Sequence, residues 1–222
     1  MGSEDLFYKR KAKTKNVLAR KKNRRAPYER VLIVCEGAKT EPYYFQELID
    51  CLELNTANVV VDGSCDSSPN QVVAFAIKKY RTEIKTGNGF DKVFCVIDRD
   101  AHNTYENALT RIQNLKPKGV FSAINSVPCF EYWLLLHFEF TTRPFVATGA
   151  KSSCDNLIDS LSGFIPDYAK GEKNIYSGIA HQTNQAINWS KRALKQAKYN
   201  ATNNPATYVH ELVEYLQNLK NQ

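Results

Sequence analysis

Two apolar runs in this chain end in carboxylates. Glu36 closes VLIVCEG at residues 31–37, and Asp98 and Asp100 close KVFCVIDRD at residues 92–100. An uninterrupted apolar run of this length reads as a strand buried on both faces, which belongs to a parallel α/β sheet. Ligands bind at the carboxyl ends of such strands. If the two strands are neighbours, Glu36, Asp98 and Asp100 meet at one crevice although they are far apart in sequence. Carboxylates gathered in this way repel unless a divalent cation neutralises them. Hard oxygen ligands select Mg²⁺ or Mn²⁺. A cation held there polarises a phosphodiester and activates water, while one carboxylate stays free to move a proton. Phosphoryl transfer is the chemistry these parts suit. Each piece also has a plainer use, since Glu-Gly is common in loops and an acid before a helix caps it. Their joint occurrence at two strand ends favours a site.

The elements that must position these groups follow from periodicity. The first strand, about 31–35, precedes TEPYYFQELIDCLEL, where Thr40 is a suitable N-cap and Tyr44, Phe45, Leu48, Ile49 and Leu52 form one helical face. A Val-rich strand at about 58–62 precedes a second helix opened by Ser68 and Pro69. The strand at 92–97, a helix at 103–115 and a strand at 119–124 complete a β-α-β-α-β-α-β order. That order predicts a mostly parallel four-stranded sheet flanked by helices. PCFEYWLLLHFEF (128–140) is apolar almost all round, so it is expected to form a short buried helix. Helices are expected at 152–162, 177–199 and 205–219, with Asn204 as the cap of the last. The division that follows is a basic arm at 1–29, an α/β core at 30–150 and a helical part at 151–222.

The net charge of +7 is unevenly distributed. Residues 1–30 hold 11 Lys or Arg against three acids, and the remaining 192 residues sum to −1. Such an arm is too polar to fold alone. It either contacts phosphates through counterion release or serves as a solvated tail. No apolar run approaches the length of a membrane span, and no secretory segment opens the chain. The six cysteines (35, 51, 65, 95, 129 and 154) form no CxxC pair and no zinc spacing, so reduced thiols in a cytoplasmic protein are expected.

The segments VLIVCEGAKTEPYYF, VFCVIDRD, SVPCFEYWLLLHF and NPATYVHELVEYL resemble, in order and wording, the RloB-like family of defence-associated proteins, over about residues 31–216. The resemblance implies a Toprim-like core. In that core a glutamate after the first strand is a general acid or base, and a DxD after the third holds Mg²⁺. Carried over, Glu36 takes the glutamate role and Asp98 and Asp100 the metal role. Glu131, in the CFE block, matches a further acidic residue of the site. The resemblance also implies a nuclease of abortive-infection modules that works beside an AAA-type ATPase.

Lys170 and Lys173, in DYAKGEKNIY, are candidates for contacting phosphate, partly by resemblance to a Tyr-x-Lys block. His102, just after the DxD, could orient a phosphate or a proton, although loop histidines are commonly just exposed. His137 and His210 fit packing better. Two functions are therefore expected to compete. One is a Mg²⁺-dependent nuclease acting on DNA or RNA in phage defence. The other is a non-catalytic subunit that binds nucleic acid or a partner. No Walker-type loop is present, so any ATP dependence falls to a partner.

Overall fold

β1 (Val31–Cys35) is buried along its whole length. Val31, Ile33 and Cys35 face one core and Leu32 and Val34 the other, because successive strand side chains alternate between faces. The computed structural model describes residues 28–56, 58–65, 68–99 and 103–221. The expected basic arm falls almost wholly outside them, and so do Asp100 and His102.

Around β1 the sheet runs in the order β2-β1-β3-β4-β5, with β2 at Val59–Asp62, β3 at Lys92–Asp98, β4 at Phe121–Val127 and β5 at Ala206–Thr207. The first four strands are parallel. β5 is antiparallel, aligning Thr207 with Ser126 and Ala206 with Val127. The α1 helix (Thr40–Cys51) covers one face of the sheet, together with α4 (Glu131–Leu135), α5 (Ser153–Ser162), α6 (Ile175–Ile179), α7 (Thr183–Tyr199) and α8 (Val209–Asn218). The other face is covered by α2 (Pro69–Lys85) and α3 (Tyr105–Asn114). Each large apolar side chain so enclosed contributes about 1.5–3 kcal/mol of transfer free energy. Among the described residues no helix is long and apolar enough to cross a membrane.

The fifth strand replaces the start of the helix expected at 205–219. Ala206 and Thr207 extend the sheet, where the Ser126 and Thr207 hydroxyls lie 3.0 Å apart, and the helix begins only at Val209. Asn204 does not cap it. Its side-chain amide grips the backbone of Phe145, accepting from the N–H at 3.1 Å and donating to the carbonyl at 2.7 Å. The helix expected over 128–140 is shorter, at Glu131–Leu135, and all five of its residues are buried.

The cysteine expectation is corrected as well. Cys129 and Cys154 form a disulfide, while Cys35, Cys51, Cys65 and Cys95 are not disulfide-bonded. The pairing joins the segment before α4 to the first turn of α5. Packing of those two helices brings the sulfurs together, which spacing along the chain does not reveal.

Candidate functional site at the carboxyl ends of β1 and β3

β1 and β3 are direct neighbours, with Cys35 aligned to Val96, so Glu36 and Asp98 leave the sheet side by side. Glu36 donates its N–H to the Val96 carbonyl at 3.1 Å, and its Oε2 accepts the N–H of Asp98 at 3.0 Å. The first carboxylate is thereby fixed against the backbone of the second. Asp98 Oδ2 accepts the N–H of Phe130 at 3.1 Å. Asp98 Oδ1 is buried and has no hydrogen-bond partner among the described residues.

A pocket of about 380 Å³ opens here, lined by Glu36, Asp98, Glu131, Lys170 and the 37–41 turn. Glu131 reaches it because α4 is short and wholly buried, which leaves the residue only 2 % exposed. Its Oε1 accepts from the Tyr168 hydroxyl at 3.2 Å and lies 3.7 Å from Lys170 Nζ. Lys170 Nζ is also 3.3 Å from Cys154 Sγ.

The structure adds a fourth carboxylate that sequence reasoning missed. Glu41, in the first turn of α1, is buried and lines the same pocket. Its position carried a signal: the first turn of the helix that follows β1 starts at the crevice, where an acid also suits the helix dipole. Thr40, expected as the cap of α1, instead accepts the Gly171 N–H at 2.8 Å. That bond closes the 170–171 loop over the pocket. Gly171 has φ +83°, and a Cβ there would meet the Lys39 side chain at 2.9 Å.

Four carboxylates beside two lysines, Lys39 and Lys170, cannot all stay ionised without compensation. Burial pushes the Asp98 carboxyl well above its usual range, reinforced by Glu41 and Glu131 and opposed by the Phe130 N–H. Burial likewise pushes Glu41 up to about 7, with Glu131 adding to the rise and its own backbone hydrogen bond and Lys170 opposing it. The Tyr168 hydroxyl is raised by burial and then by the charge of Glu131.

The donors are carboxylate oxygens, one of them buried and unpaired, and this suits a hard divalent cation. A tighter group of possible ligands also exists among the described residues: atoms of Cys129, Glu131 and Cys154 all lie within 4.8 Å of one another. Its two sulfurs are bonded to each other, which removes the thiolates that a soft metal requires.

The other sequence candidates divide. Lys173 lies outside the pocket lining, its Nζ 5.2 Å from the centre of the Tyr43 ring. His137 is a core residue, with Nδ1 3.0 Å from the Trp133 carbonyl and burial lowering it to about 4. His210 pairs with the Ser190 hydroxyl at 2.9 Å.

Gly37 makes room for Glu41, since a Cβ at residue 37 would come within 2.2 Å of Glu41 Oε2. Gly37→Ala is therefore expected to expel the Glu41 carboxylate from the pocket and to cost about 1–3 kcal/mol from overpacking. Urea titration measures the cost, and a midpoint equal to that of the wild type would show that Glu41 yields freely.

A family model described as RloB-like protein matches residues 31–216. No functionally curated protein and no solved structure shows significant similarity to the chain.

Proposed function

We propose that this chain, which belongs to the RloB-like family, is a divalent-metal-dependent nuclease with a Toprim-like core, whose centre is the carboxylate crevice at the ends of β1 and β3. The reading rests on Asp98. Its Oδ1 is buried without a partner among the described residues, in a pocket that Glu36, Glu41 and Glu131 also line. A buried carboxylate oxygen left unpaired is costly unless a cation takes it.

Asp98 and Glu36 would hold Mg²⁺ or Mn²⁺, with Asp100 as the second acid of the DxD. The ion, when bound, supplies charge neutralisation and Lewis-acid activation of a phosphodiester. Glu36 is oriented for this by the Asp98 N–H that its Oε2 accepts. Lys170 brings positive charge to the pocket, as Lys39 also does, and is suited to meet a phosphate oxygen. Glu41, protonated up to about pH 7, is suited to give or take the proton of the reaction. Glu131, held by Tyr168 and Lys170, positions that lysine.

Nucleic acid as substrate, action in phage defence and partnership with an AAA-type ATPase follow from the family resemblance. The testing experiment incubates labelled single-stranded DNA, duplex DNA and RNA with the protein and Mg²⁺ or Mn²⁺, with and without an AAA-type partner. Cleavage that a chelator abolishes is expected. Cleavage indifferent to the chelator, or none on any substrate even with the partner present, would sink the reading in favour of a binding subunit.

A further inference from the structure

The near-neutral total of the folded part conceals a second concentration of positive charge. From Lys173 to His210 the sequence contains no Asp or Glu, but it contains Lys173, Lys191, Arg192, Lys195 and Lys198. Four of these five lie on α7. The helix buries Thr183, Ala186, Ile187, Ser190, Ala193 and Ala197 against the core, so its basic residues are left on the outer side. Lys191 is held by Glu214 at 2.6 Å and Arg192 lies over the Phe140 ring. Among the described residues no ion pair engages Lys195 or Lys198.

Lys195 and Lys198 instead line a second cavity, of about 550 Å³, between α7, α3 and the end of β4. Asn203 and Tyr208 share its wall, and Glu106 is its one acidic residue among the described residues. The cavity shares no lining residue with the carboxylate crevice, and the link between the two is the β3–β4 strand end and Arg99. The cavity's wall residue Asn125 aligns with Ile97, and the next pair, Ser126 with Asp98, is part of the same register. Adjacent strands lie about 4.8 Å apart. Arg99, the residue after Asp98, donates its backbone N–H to Ser126 at 2.9 Å and its guanidinium to Asn203 on the cavity wall. Tyr199, at the end of α7, is 90 % exposed.

We propose that this groove binds the backbone of a single-stranded nucleic acid and leads it to the carboxylates, with Arg99, Lys195 and Lys198 on successive phosphates and Tyr199 as a stacking platform for a base. The proposal rests on the nuclease reading for the chemistry at the end of the path. Helical rise places Lys195 and Lys198 about 4.5 Å apart along the axis, within reach of neighbouring phosphates. An exposed aromatic beside unpaired cations and amide donors is the composition that holds single strands without reading sequence. An acidic protein surface would satisfy the lysines but would leave Tyr199 and the continuity with Asp98 without a role.

The test uses the full chain and a fluorescently labelled single-stranded oligonucleotide, titrated by anisotropy over a range of salt without divalent ions. Lys195→Glu with Lys198→Glu is expected to weaken binding at least about tenfold and to flatten the slope of log K against log[salt] by about 1.4, the value for two lost single-strand contacts. Lys78→Glu with Lys85→Glu, on exposed positions of α2 across the sheet, carries the same change of net charge and is expected to leave the slope in place. Equal slopes for the groove variant and the wild type would overturn the proposal and give this face to an acidic protein partner. A fall that both variants share would also overturn it, as an effect of net charge. Binding lost only in the groove variant while no substrate is cleaved, even with an AAA-type partner and Mg²⁺ or Mn²⁺ present, upholds the groove and removes the nuclease reading. Cleavage with the groove variant still binding normally does the reverse.

Discussion

Asp98→Asn is expected to lower metal-dependent cleavage by at least about 100-fold, because it takes a ligand charge from the place where the transition state needs the cation most. The substitution changes little in shape. The Asn side-chain oxygen can still accept the Phe130 N–H, as Asp98 Oδ2 does at 3.1 Å. Its amide nitrogen would take the place of Oδ1, which has no partner among the described residues, and can donate to a neighbouring carboxylate. The fold should therefore survive, and the metal-free variant should melt higher than the metal-free wild type, since a buried repelling charge is gone. Mn²⁺ distinguishes a lost ligand from a damaged fold. Saturation at about 100 times Kd stabilises a protein by about 2.7 kcal/mol, and the resulting rise in melting temperature should appear in the wild type and disappear in Asp98→Asn. A variant that still gains this stabilisation, or that cleaves as the wild type does, would remove Asp98 from the metal site.

Much of the fold was legible because it rests on burial, and burial leaves a pattern in the sequence. The four parallel strands follow from apolar runs alternating with amphipathic helices, whereas the adjacency of β1 and β3 was only a condition of the sequence reading, since that alternation does not fix the strand order. β5 was not legible. Two residues are too few to show a period, and a prolyl residue followed by Ala-Thr reads as a helix start as readily as a strand. The site divides along the same line. Glu36 and Asp98 announce themselves by standing at the ends of apolar strands. Glu41 looks like an ordinary first-turn acid, and only the pocket shows that it is buried beside them. Glu131 was reachable by resemblance alone, because an acid inside an apolar block says nothing of where its helix points. The Lys195 and Lys198 groove escaped for another reason. Summed over the folded part its charge cancels, and only the run without acids between Glu172 and Glu211 separates it from the surroundings.

Metal-free protein is expected to lose stability as pH rises from about 5 to about 8, the reverse of the acid lability of a protein whose carboxylates are favourably paired. Glu41 has an ordinary value of 4.5 and stands at about 7 in the fold, with burial the leading cause. Between those two values the folded chain keeps a proton that the unfolded chain has released, so stability falls with rising pH across that window. At about 1.4 kcal/mol per unit, the loss due to Glu41 approaches roughly 3 kcal/mol by pH 8. Asp98, also raised, acts in the same direction. Glu41→Gln stays neutral throughout and should flatten the profile, most visibly above pH 7. Saturating Mn²⁺ should turn the slope over, because the ion binds the deprotonated carboxylates and its affinity therefore grows with pH. Melting temperature against pH, recorded for the wild type and Glu41→Gln with chelator and with Mn²⁺, checks all of this together. A metal-free wild type whose stability is flat or rising from pH 5 to pH 8 would mean that the crevice accommodates its charges without a cation. A metal centre would then lose its electrostatic basis, whatever the cleavage assay returned.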